Sequence, residues 1–148
     1  MLRRKAGRKG FTLLELMIVL AVIAILLMAI LPAMSARNTA KISSASQTVN
    51  TLYQASSAWL AQGHTTYTGI SIAVLQTAEL LPAGFTAATD NPWGGSFGVA
   101  ANTDSNKLNI TVGSVPAAAG PSLINIFTPN AASTPTYDGD TDVFTVTF

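Results

Sequence analysis

Residues 8–20 read Arg8-Lys9-Gly10-Phe11-Thr12-Leu13-Leu14-Glu15-Leu16-Met17-Ile18-Val19-Leu20, and the apolar run they open continues to Leu31 with Glu15 as its single charge. At about 1.5 Å per residue, a helix over residues 13–31 is close in length to a bilayer core of about 30 Å. An acid at the centre of such a helix costs about 2.5–3.5 kcal/mol. A chain that needed only an anchor would carry an apolar residue there, so Glu15 is the residue to explain.

Toward the N-terminus, Arg3, Arg4, Lys5, Arg8 and Lys9 are five of the eight bases in the 148-residue chain. Without residues 1–10, three bases face seven acids, a net charge of −4. A basic patch for nucleic acid would therefore rest on a segment that reads as topology information. Bases ahead of a span stay cytoplasmic, which places the rest of the chain outside the cytoplasm. The absence of cysteine excludes disulfides, thiolate metal sites and a cysteine nucleophile.

Toward the C-terminus, Pro32 bends a helix without necessarily ending it, because helix-compatible sequence resumes beyond it. Residues 33–62 hold no other Pro and no Gly, and Ile42, Ala45, Val49, Leu52, Ser56 and Trp59 recur at three- and four-residue spacing. That pattern predicts an amphipathic helix with one narrow buried stripe, capped at Gly63. A single helix from about Phe11 to Gln62 would be roughly 78 Å long.

Past Gly63 the texture is short pieces between Gly, Pro and Asn. Ser71–Leu81 reads as a short helix ending before Pro82, and Asp90-Asn91-Pro92-Trp93-Gly94-Gly95 as turn chemistry with its Trp packed on the core. Candidate strands are Ser96–Ala101, Lys107–Val112 and Val143–Phe148, the first two joined by a loop of hairpin length. Pro121–Phe127 fits a helix or a strand equally. The expected fold is α+β, a long N-terminal α-helix packed against a small antiparallel β-sheet. Its expected parts are a leader (1–10), a transmembrane or filament-core helix (11–32), the amphipathic second half of that helix (33–63) and a globular head (64–148).

Arg8 to Val19 resembles the class III leader and first helix of type IV pilins and pseudopilins. The resemblance implies that a prepilin peptidase cuts after Gly10 and, as an N-methyltransferase, methylates the new amine of Phe11. It also implies that Glu15 pairs with the amine of a neighbouring subunit's Phe11 and sets the stagger of a helical filament. Physics supports that role, since opposite charges attract more strongly where water is excluded and an unpartnered acid there is costly. An ordinary signal peptide, with Ala33-Met34-Ser35 before a cut, and a plain single-pass anchor are the competing readings; both leave Glu15 unexplained.

Less specifically, Leu80-Leu81-Pro82, Asn91-Pro92-Trp93-Gly94-Gly95, Ile110-Thr111-Val112 and Val115-Pro116 look like the globular part of type IVb pilins, whereas a ten-residue leader followed by Phe is more typical of type IVa pilins and pseudopilins. The family usually closes its C-terminal region with a disulfide shortly after a Val-Pro pair. This chain has Gly120 in that neighbourhood, so packing of the last strand or a bound ion must replace the bond. Asp138, Asp140 and Asp142 are the candidate calcium ligands, since alternate aspartates on a turn suit calcium. Val143 in place of the EF-hand glycine favours a solvated turn.

His64 reads as a solvated polar residue, and Asn109-Ile110-Thr111 matches a glycosylation sequon inside a strand candidate. No catalytic constellation is apparent, and the chain is not read as an enzyme. The expected function is a pilin that polymerises into a type IV pilus for adhesion, motility, or DNA transfer or uptake; a major pseudopilin of type II secretion and a minor, adhesin-like tethered module are the alternatives. Implied partners are further copies in a helical homopolymer, the prepilin peptidase, an inner-membrane assembly platform with its ATPase, and the membrane before assembly. Whether nucleic acid is a partner is not legible. The implied location is the inner membrane, N-terminus inside, then the extracellular pilus.

Overall fold

The computed structural model describes residues 11–148, the side chains of residues 29–35 excepted. The elements are α1 (Leu13–Ala61), α2 (Ile72–Thr77), β1 (Phe97–Ala101), β2 (Leu108–Val112), α3 (Gly120–Phe127), β3 (Ser133–Asp138) and β4 (Val143–Thr147). This is the expected α+β arrangement, a long N-terminal helix with a small antiparallel sheet, consistent with the pilin fold. The chain divides into two compact units between Arg37 and Asn38.

In the first unit α1 starts at Leu13 and stays helical through Pro32. From Phe11 to Met28 its large apolar side chains are 46–82% exposed. Nothing in the residues of this segment distinguishes one face from another.

In the second unit the rest of α1 supplies the predicted stripe: Ala45, Val49, Leu52, Ser56 and Trp59 are buried and Ile42 is half-buried. Ser56, the one polar member, donates to the Leu52 carbonyl at 2.7 Å and so leaves no unpaired hydroxyl in the core. Val49, Leu52, Ala55 and Trp59 share one hydrophobic cluster with Val99, Leu108, Ile110, Val112, Phe144 and Val146 of the sheet and Leu123 and Phe127 of α3.

The sheet order is β1-β2-β4-β3, all neighbours antiparallel. β1 and β2 form the expected hairpin, and Val143–Thr147 is the expected last strand, now placed between β2 and β3. Its ambiguous alternation resolves with Phe144 and Val146 in the core. The ambiguous Pro121–Phe127 is a helix, with Gly120, Leu123 and Phe127 buried at helical spacing.

Two expectations need correction. The short helix ends at Thr77 instead of Leu81, because Glu79 takes a left-handed φ of 56° and turns the chain. Glu79 N–H then reaches Gln76 O and Leu80 N–H reaches Leu75 O, both at 3.0 Å, the pattern of a Schellman cap without its usual glycine. The second correction is β3, which has no counterpart among the expected strands. Ser-Thr-Pro-Thr-Tyr-Asp is polar and holds Pro135, and such a strand is tolerated only at an edge; a register shift between Ser133 and Thr136 accommodates it.

Packing closes the C-terminal region without a disulfide. Phe148 stacks on Tyr53 of α1 at 4.3 Å between ring centroids and meets Phe127 edge-on at 6.2 Å. Its N–H and C=O both pair with Leu108 at 2.8 Å. The Tyr137 hydroxyl lies 2.9 Å from the Val115 carbonyl and 3.0 Å from Asp142 Oδ1, acceptors between which its one proton is shared. Beneath that ring sits Gly120, where a Cβ would come within 2.6 Å of Tyr137 Cγ. Aromatic pairs contribute about 0.5–1.5 kcal/mol each beyond their area, and a disulfide typically about 2–4 kcal/mol.

Truncating Phe144 to Ala, which removes a fully buried ring at the centre of the sheet, should destabilise the head by about 3–5 kcal/mol. Urea denaturation of the detergent-solubilised chain, followed by the fluorescence of Trp59 and Trp93, reads this directly. Burial first, and then Asp142 and Asp138, raise the Tyr137 phenol above its ordinary pKa of 10.0. A raised folded pKa means its contribution is complete below pH 10 and is lost as pH rises through the folded value. Tyr137→Phe should therefore flatten the alkaline decline in stability, with the remaining slope coming from Tyr67, which burial also raises.

Candidate functional site: the start of the first helix

Thr12 immediately precedes α1 and Glu15 lies in its first turn. The helix leaves its first N–H groups without intrahelical acceptors, and these two side chains supply them reciprocally. Glu15 Oε2 accepts from Thr12 N–H at 3.1 Å, and Thr12 Oγ accepts from Glu15 N–H at 3.3 Å. The Thr12 hydroxyl also lies 3.2 Å from the same Oε2. This is a capping box, in which residues three apart satisfy each other's backbone donors.

Thr12 has no role in a reading from charge alone. The Thr-x-x-Glu spacing ahead of an apolar run is the signal that finds it. The box also answers part of the question posed by Glu15: a carboxylate near a helix N-terminus is favoured by the helix dipole and by the orphan donors there. All of its described bonds use Oε2, and Oε1 takes none among the described residues. Phe11, the residue before the cap, is 82% exposed. Gly10 and the basic leader lie outside the described residues.

Among the described residues no helix is long and apolar enough to cross a membrane. The described side chains of the apolar run extend from Phe11 to Met28 and stay exposed.

The three aspartates, Asp138, Asp140 and Asp142, have different surroundings. Asp138 accepts from Asp140 N–H at 3.0 Å and from the Thr141 hydroxyl at 2.7 Å. The Thr141 hydroxyl, followed by the Asp140 amide, holds the Asp138 carboxyl below its ordinary pKa. Asp142, at φ 54°, turns toward Tyr137 instead. No group of three or more His, Cys, Asp or Glu side chains among the described residues is arranged to hold a metal ion.

Three other singled-out residues have structural partners. His64 is exposed, but it is more than a solvated residue: its ring stacks on Trp59 at 3.7 Å and its Nδ1 lies 2.9 Å from the Trp59 carbonyl, closing the end of α1. Asn91 is buried, accepting from Trp93 N–H and donating to the Gly113 carbonyl, both at 2.9 Å, so the turn is fastened to the end of β2 with Trp93 against the core. Asn109 Oδ1 accepts from Asn102 Nδ2 and Thr147 Oγ at 2.8 Å each, which commits the sequon's side chain to the sheet.

A family model described as the prokaryotic N-terminal methylation motif matches residues 5–31. No curated protein and no solved structure matches the chain. The matched residues include the capping box, Phe11 and most of the exposed apolar helix, together with the basic residues from Lys5 to Lys9. The match identifies this N-terminal segment as that of a type IV pilin- or prepilin-like protein.

Proposed function

We propose that the chain is a structural pilus subunit whose leader is removed between Gly10 and Phe11 by a prepilin peptidase, whose Phe11 amine is then methylated, and whose first helix packs with copies of itself in a filament. The observation that carries this reading is the apolar stretch from Phe11 to Met28, exposed throughout and carrying one carboxylate near its start, within a matched methylation motif. Such a surface is stable only in lipid or against an equally apolar partner. Membrane and filament are alternative solvents for it, and a subunit passes from one to the other without meeting water.

The capping box supports a division of labour at Glu15. Oε2 serves the subunit's own helix, and Oε1 is left for a second donor. Cutting after Gly10 creates a cation at Phe11, and in the filament the amine of a neighbouring copy supplies that donor. A copy in the wrong axial register leaves the acid facing hydrocarbon, so register is selected by the cost of failure. Before assembly the same helix anchors the subunit in the inner membrane with its N-terminus inside.

Intact mass and N-terminal sequencing of the mature protein test the reading. The expected product begins at N-methylated Phe11 and lacks residues 1–10; a start near Arg37 would return the chain to an ordinary secreted domain. Gly10→Val should leave the leader in place, because a branched side chain obstructs the peptidase. Glu15→Ala should still be cleaved but yield few or no fibres in electron micrographs of sheared cells, and a normal yield would remove the proposed role. Fibres confined to the periplasm of the unaltered strain would assign the chain to a secretion pseudopilus instead of a surface pilus.

A further inference from the structure

The four-stranded sheet of the head has two outer edges, β1 and β3. β3 is closed to further pairing: Pro135 lacks an N–H, the register shifts between Ser133 and Thr136, and Asp138 ends the strand with a charge. β1 carries none of these devices. It reads Phe-Gly-Val-Ala-Ala from Phe97 to Ala101, without charge or Pro, and its register against β2 runs without a shift.

The pairing with β2 decides which main-chain groups of β1 are left over. Gly113 N–H donates to Ser96 O and Asn102 N–H to Lys107 O, both at 2.9 Å, so Gly98 and Ala100 bond toward β2 while Phe97, Val99 and Ala101 face away from it. Phe97 N–H is taken by Ala87 O at 3.0 Å. The N–H and C=O of Val99 and of Ala101 have no partner among the described residues. Val99 belongs to the core and Ala101 is half-buried, so this stretch of edge presents main chain, with exposed Ala100 between them. Groups of this kind are satisfied by water or by an added strand.

We propose that β1 pairs antiparallel with β1 of a second copy of this chain, about a two-fold axis at Ala100. In that register Val99 of each copy stands opposite Ala101 of the other, and all four open groups of each copy are used. Only the Ala100 methyl groups meet at the axis, and no charge within the strand opposes its like. A shift of two residues sets Val99 against itself, with Ala101 opposite the already bonded Phe97, or sets Ala101 against itself, with Val99 opposite the loop residue Thr103. β3 of another copy is the poorer occupant, for the reasons that close it. The contact is isologous and is complete after one pairing. Neighbours related by a screw along one fibre do not share it, so it joins two heads side by side and, in fibres, one fibre to the next. It goes beyond the filament reading and does not depend on it.

The absence of native cysteine allows a direct test in the full-length chain. Residues opposite each other in a non-hydrogen-bonded antiparallel pair lie roughly 4.5 Å apart at Cα, inside the range of about 4.4–6.8 Å that a disulfide spans. The Ala100→Cys chain, oxidised in detergent and run on a non-reducing gel, should therefore give a dimer and nothing larger, whereas Ala118→Cys, at an exposed site outside β1, should stay monomeric. No dimer from Ala100→Cys, or as much from Ala118→Cys, overturns the proposal and leaves the edge to an extended segment of a different protein. Charge provides the second arm, since Ala100 is exposed and its replacement leaves the core intact. Ala100→Lys and Ala100→Glu, each alone, should give no more carbodiimide-linked dimer than the unaltered chain, and an equimolar mixture should give more, because the new amine and carboxylate meet at the axis. A mixture no different from its components overturns the pairing. Both arms use solubilised subunits and read out whether or not the chain forms fibres, so failure of this contact is distinct from failure of the filament reading.

Discussion

The head is held together by β4, which pairs with β2 on one side and β3 on the other while sending Phe144 and Val146 into the core shared with α1. Neither β2 nor β3 is bonded to the other, so β4 makes one sheet of what would otherwise be a hairpin and a loose strand. Everything else in that unit is arranged around it: α3 fills the turn between β2 and β3, Tyr137 fastens the β3–β4 corner to Val115, and Phe148 brings the end of the strand onto Tyr53 of α1. The last strand is thus bonded along both edges in a chain that has no cysteine.

The long helix and the small antiparallel sheet were legible because their two signals are strong and independent. Periodicity identified the buried stripe of α1 down to Ser56, and a bounded β-rich run identified β1, β2 and β4. The failures have physical causes. β3 is an edge strand, and an edge strand needs no hydrophobic alternation and can accept Pro135. The early end of α2 depends on a left-handed Glu79, a conformation that leaves no mark in composition when glycine is not used. His64 read as solvated because stacking on Trp59 is a tertiary consequence of the turn at Gly63, not a property of either residue.

At the functional end, Glu15 was legible through its cost and Thr12 was not, although the spacing that joins them is in the sequence. The lesson lies in the energetics. An acid in an apolar run invites a search for a distant partner, but the first unpaired donors it meets are those of its own helix. Satisfying them lowers the penalty without cancelling the charge.

The strand order also has a temporal meaning. A chain emerging from its N-terminus presents α1, the β1–β2 hairpin and α3 long before residues 143–147 exist, yet β2 and β3 have no sheet to share until those residues arrive. Long-range pairings of this kind form late, because loop closure must be met before the contacts reward it. A partly made subunit therefore has a sticky first helix and no finished head. Completion of β4 is the step that joins the β1–β2 hairpin and β3 into one sheet.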